Sequence, residues 1–84
     1  MNLSFSKISN NGTPINLKKD LIVPVDFNKT KNSFNATYKP LNLFVESKEG
    51  THVIDMFTKE FATLYNQKES LDKKRQKHFD QIVK

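Results

Sequence analysis

Leu3 and Phe5 alternate with Ser4 and Ser6, the period of two that a half-buried strand requires. Leu21, Val23, Val25 and Phe27 repeat it against Ile22, Pro24 and Asp26, and Phe34, Ala36 and Tyr38 start it again. Pro40 interrupts the third run. Leu41, Leu43 and Val45 resume on the shifted parity, as a bend or bulge demands. Ser9-Asn10-Asn11-Gly12-Thr13 is a hairpin signal. A two-residue Asn11-Gly12 turn sets Phe5 and Ile15 on opposite faces. A three-residue Asn10-Asn11-Gly12 loop, with Gly12 left-handed, sets Leu3 and Phe5 on the face of Ile15 and Leu17. The second is expected, because register follows the apolar face. Lys18-Lys19-Asp20 reads as a polar step between two strands, and Asn28 to Ser33 as a loop. Pro24 lacks a ladder donor and predicts an edge or bulged strand. The sum is four or five short strands, antiparallel because the connections are too short for crossovers.

From Gly50 the period changes. Ile54, Phe57, Phe61, Leu64, Leu71, His78 and Ile82 recur in steps of three and four, with Lys68 and Arg75 in the remaining seats. Val53, Tyr65, Phe79 and Val83 widen the stripe. Thr51 is a candidate N-cap. The predicted fold is α+β: a small antiparallel sheet over residues 1–49, then one long C-terminal amphipathic helix over residues 50–84, open to a break near residues 66–70. One small domain is expected over residues 1–84.

A continuous helix from Thr51 to Val83 is roughly 50 Å long. A compact chain of this size is on the order of 30 Å across. The sheet therefore covers only the first half of such a helix. The second half must break and fold back, project and pair with a copy of itself, or project onto another protein. Lys68, Arg75 and His78 on the stripe argue against a strong homodimeric zipper. They favour a different protein as partner, or modest self-association.

Composition narrows the chemistry. The 84 residues carry a net charge of +5 and no cysteine. Disulfides and thiolate metal sites are thereby excluded. The first 45 residues hold six Lys against two Asp, whereas the remainder mixes eight basic with seven acidic residues. No apolar run approaches the ~20 residues of a membrane span. The N-terminus lacks a signal-peptide pattern, so a cytoplasmic protein is expected. Lys outnumbers Arg thirteen to one and Asn is abundant, a bias that suits a phage or mobile-element product of an AT-rich host. With two glycines, no phosphate-binding loop is available. His52 with Asp55 supplies two potential metal ligands, too few for a site. No metal, cofactor, small-molecule substrate or catalytic set is expected.

Two constellations remain. The stripe beyond Asn66, namely Lys68, Leu71, Arg75, His78, Phe79 and Ile82, is the expected protein-binding surface of a small non-enzymatic inhibitor, adaptor or regulatory subunit. The alternative is nucleic-acid binding through Lys29, Lys31, Phe34, Tyr38 and Lys39, where aromatic rings stack bases among lysines, or through the basic stretch of Lys73, Lys74 and Lys77. A competing reading of Phe34 and Tyr38 turns both rings into the core beneath the helix.

Overall fold

The structure, a computed structural model, describes residues 1–9, 12 and 14–84. Four strands, β1 (Asn2–Ile8), β2 (Ile15–Asn28), β3 (Ser33–Tyr38) and β4 (Leu43–Ser47), form an antiparallel meander in the order β1-β2-β3-β4. Two helices follow, α1 (Gly50–Asn66) and α2 (Lys73–Ile82), joined through a 3₁₀ turn at Lys68–Ser70. The α+β class is as expected.

The long strand β2 organises the sheet. It runs straight through Lys18-Lys19-Asp20, where a gap between two strands was expected. The three polar residues are absorbed by a bulge. Ile8 pairs with Ile15 and Lys7 with Asn16, but Phe5 pairs with Leu21, so Ser6 alone stands against residues 17–20. The bulge resets the parity of β1: Leu3 and Phe5 face the core at one end, and Ile8 is buried at the other. Leu3, Phe5, Ile15 and Leu17 do share one core, by this route. The described pairs Lys7↔Asn16 and Ile8↔Ile15 are in the register of the two-residue turn, one residue off that of the expected three-residue loop. Asn10 and Asn11 lie outside the described residues.

β2 lies between β1 and β3, but it is bulged and Pro24 falls beyond its last pair with β3, so the edge or bulge that Pro24 predicts is found. The Val25 amide donates to the Met1 carbonyl at 2.8 Å, so the odd-numbered amides of this part of β2 face β1 and Pro24 faces β3. The β2–β3 ladder runs from Asn28↔Ser33 to Val25↔Ala36 and stops there. The missing donor is tolerated because it falls where pairing ends. At the β2–β3 turn the Asn28 side-chain oxygen accepts from the amides of Thr30 (3.0 Å) and Lys31 (3.2 Å). Pro40 lies in a 3₁₀ turn, Lys39–Leu41, left through Asn42 in the left-handed region (φ 55°, ψ 41°). That turn makes the parity shift, so Leu41 and Leu43 are both buried.

The helix breaks near residues 66–70, the alternative left open, and is two helices rather than one long one. The N-cap position of α1 is Glu49 and Thr51 is exposed within the helix. Its buried residues are Val53, Phe57 and Phe61, four apart, while Ile54 is exposed, so the stripe is turned one residue from the prediction. After Gln67 the chain tightens into the 3₁₀ turn, Leu71 is extended (φ −83°, ψ 163°), and Asp72 occupies the N-cap position of α2. The molecule's longest dimension is 37 Å, shorter than a straight helix over these residues would be. Of the three outcomes the fold-back is found, and burial explains it. Phe79 is 0 % exposed, 5.3 Å from the Phe61 ring and 5.6 Å from that of Tyr65. Burying one phenylalanine contributes about 1.5–3 kcal/mol. The helical bonds given up at the break are worth about 1 kcal/mol each. Several are replaced, by Ser70 donating to Gln67 (2.8 Å), Leu71 to Lys68 (3.1 Å) and the Gln76 side chain to the Leu71 carbonyl (2.7 Å).

The core is a chain of aromatic rings. Phe57 stacks on Phe5 at 5.7 Å, meets Tyr38 edge-on at 6.4 Å and lies 6.2 Å from Phe61, which continues to Phe79. The chain also closes on itself at the bulge. Leu17 forms an antiparallel bridge with Val83, the Lys84 amide donates to the Asn16 carbonyl (2.9 Å), and the Lys18 ammonium donates to the Asp80 carbonyl (3.0 Å).

Candidate functional site

The predicted protein-binding stripe faces the protein's own sheet. Phe79 belongs to the core, and Leu71 and Ile82 pack against it half-buried. This corrects the expectation for Phe79, which is closed to a partner; Leu71 and Ile82 stay half-exposed. The break rotates α2 so that its apolar side meets β2. The polar members of the stripe have partners of their own. Lys68 is 3.8 Å from the Asp80 carboxylate and 5.1 Å above the Tyr65 ring. Arg75 donates to Asp72 at 2.5 Å, and that bond holds the Asp72 carboxyl below the usual carboxylate range.

His78 meets a residue from the other constellation. Its Nε2 lies 2.5 Å from the Tyr38 hydroxyl oxygen, with the rings 5.5 Å apart. Tyr38 closes the end of β3, is 9 % exposed and lies under α2. Burial pushes its hydroxyl above the ordinary 10.0 and pushes the His78 imidazole below the ordinary 6.5. A neutral imidazole and a protonated phenol make one hydrogen bond in either tautomer. The pair pins α2 to β3, and the buried Tyr38 ring presents no face to a base.

Phe34 is separated from Tyr38 by the length of β3. It is half-buried at the opposite end, edge-to-face with Phe27 at 4.9 Å, beside Gly50. Neither ring of the expected base-stacking pair stands free, since Tyr38 is in the core and Phe34 packs against it. Lys29 is exposed in the adjoining turn, and Lys31 lies 3.9 Å from Glu46, which also accepts from the Ser33 hydroxyl (3.2 Å). Lys73, Lys74 and Lys77 are exposed on α2. The fold does bring Lys39 to the basic helix: Lys39, Pro40, Lys74 and Arg75 line one cleft with Asn42 and Asp72.

The sheet's outward face shows what the sequence reading passed over. Ile22 on β2 is 50 % exposed and Phe44 on β4 is 60 % exposed. Thr37 pairs with Phe44, and Pro24 is exposed next to Ile22 on the same parity. The signal was present: Ile22 lies between Leu21 and Val23, and Phe44 between Leu43 and Val45, so both runs are apolar on two faces. Among the described residues no three His, Asp or Glu side chains gather as a metal site, and no helix is long and apolar enough to cross a membrane. Comparison with protein-family models finds no match, and comparisons with curated proteins and with solved structures find none either.

Proposed function

We propose that the chain is a small, non-enzymatic protein-binding module, an inhibitor, adaptor or regulatory subunit of the cytoplasm, that binds through the outward face of its sheet. The observation that carries this is the pair of large apolar side chains, Phe44 and Ile22, left in water by a fold that turns the apolar side of both helices inward. Exposed aromatic and aliphatic side chains beside polar neighbours are the usual anchors of a protein interface. The partner is a different, acidic protein. Residues 1–49, which hold the strands, carry seven Lys against four acidic residues, so a second copy would meet like charge. A photo-crosslinking amino acid at position 44, in the cell that encodes the chain, is expected to capture one acidic protein, and capture is lost when Ile22→Asp is added. The same group at position 60, exposed on α1, is expected to capture none. Capture from position 60 alone overturns the assignment of the surface.

A second reading, nucleic-acid binding, draws on the cleft that joins Lys39 to Lys74 and Arg75. Its test is fluorescence anisotropy with a labelled DNA or RNA oligonucleotide. Phosphate contacts give an affinity that falls linearly in log–log with salt, and Lys39→Glu with Lys74→Glu reduces that slope by about 1–2. An affinity that salt and the two substitutions leave unchanged rejects it.

A further inference from the structure

Ile22 has a strand on one side only. It pairs with Ser4 of β1. Because the Val25 amide faces β1, the alternation of an antiparallel ladder turns the N–H and C=O of Ile22 to the opposite edge. No strand meets that edge among the described residues. The ladder with β3 stops at Val25, and on the far side Val83 bridges Leu17. The open edge between Leu17 and Val25 is about 25 Å long at ~3.3 Å per residue. Two clefts, of about 230 and 570 Å³, flank it and share Ile22 and Tyr38.

We infer that this edge seats an extended, acidic segment of the protein partner, added as a short strand against Ile22. The inference rests on the protein-binding reading and names its mode. An unpaired N–H and C=O on a strand edge are satisfied by another extended backbone, with affinity from the main chain and specificity from the flanking side chains. The slot is closed at both ends by the protein's own chain. A strand from the sheet of a second copy would bring neighbours that collide with β3 at one end and α2 at the other. A single extended segment passes between them. Its charge follows from where the slot leads. The larger cleft, which holds Asp26, shares Lys39 and Pro40 with the one that holds Lys74 and Arg75, and the two together set three cations against the carboxylates of Asp26 and Asp72. Within the slot Lys19 is offset by Asp20, so the cationic end is the one at Lys39. Acidic residues of the bound segment lie there, and its apolar side chains lie on Ile22 and Pro24.

The probe is the acetylated, amidated peptide Thr-Val-Thr-Asp-Asp, titrated to about 5 mM into the ¹⁵N-labelled chain, with amide shifts and hydrogen exchange read together. The expected result is a shift at Ile22, Thr37 and Lys39, with exchange of the Ile22 amide slowed about tenfold at saturation. N-methylation of the central valine–threonine bond removes the effect. Exchanging both Asp for Lys, or Lys39→Glu in the protein, weakens binding about tenfold. Shifts confined to Phe44 and its neighbours, with Ile22 exchange unchanged, overturn strand addition and leave the protein-binding reading standing. No shift anywhere also overturns strand addition, and the cross-link from position 44, which does not depend on the Ile22 amide, then decides whether the wider reading falls with it.

Discussion

Replacing Phe79 with alanine measures how much of the fold depends on α2 turning back. The ring is fully buried between Phe61 and Tyr65, and no polar group stands ready to fill the space. Truncating such a ring costs about 3–5 kcal/mol, the transfer loss plus the cavity left behind. An 84-residue chain at ~0.05–0.15 kcal/mol per residue has roughly 4–13 kcal/mol in all, so the substitution removes a large share. With a urea m-value of about 1 kcal/mol/M, the unfolding midpoint falls by about 3–5 M. The assay is urea unfolding followed by far-UV circular dichroism. Phe79→Leu, expected to cost about 1–1.5 kcal/mol, keeps the measurement on scale if the alanine variant is already unfolded in water. Lys77→Ala, on the exposed side of the same helix, serves as the control and stays within about 0.5 kcal/mol. If Phe79→Ala moved the midpoint by no more than Lys77→Ala does, α2 would be projecting and the fold-back would be refuted.

Other outcomes follow from the same contacts. Burial lowers the His78 pKa in the folded state, so the unfolded chain binds its proton at higher pH than the folded one. Stability is therefore complete above about pH 6.5 and declines as pH falls through that value. The urea midpoint should drop more between about pH 7.5 and 5 in the native chain than in His78→Gln, and equal drops would contradict the burial of the imidazole. Tyr38→Phe leaves His78 Nε2 without its partner and should cost about 1–2 kcal/mol in the same unfolding assay. Asn42 holds a left-handed conformation that a Cβ-branched residue resists, so Asn42→Val should lower stability by about 1–2 kcal/mol and Asn42→Gly by far less.

The strands after Asp20 were legible because one face of each is buried and the other wet. Leu21, Val23 and Val25, then Ala36 and Tyr38, then Leu43 and Val45 all fall where alternation put them. One feature was hidden and one was left open, each for a physical reason. Lys18-Lys19-Asp20 looks like a gap because its side chains are polar, but a bulge needs no buried side chains and leaves the strand continuous. The helix break left no mark in the period: Leu71, His78 and Ile82 keep the spacing of Phe57 and Phe61, and nothing between residues 66 and 72 is a glycine or proline. A folded-back helix and a projecting one need the same stripe, and only the length of sheet beneath decides between them. The outward apolar residues were legible in principle. Ile22 and Phe44 were passed over because an apolar residue between two others reads as part of a core run.

The closure of the chain between Leu17 and Val83 also governs when the protein can fold. Neither the bulge of β2 nor the aromatic chain around Phe61 is complete until Phe79 and Val83 have been synthesised and have left the ribosome. Until then Phe57, Phe61 and Tyr65 belong to a helix with one side uncovered, and β2 has an open edge beside its bulge. The contact that locks the sheet spans most of the sequence, so it forms late and at a high entropic cost. Folding is thereby set after translation of this region, and the nascent chain exposes its apolar surface until Val83 has emerged. Its lysine-rich strands, which repel their own kind, keep that interval from ending in aggregation.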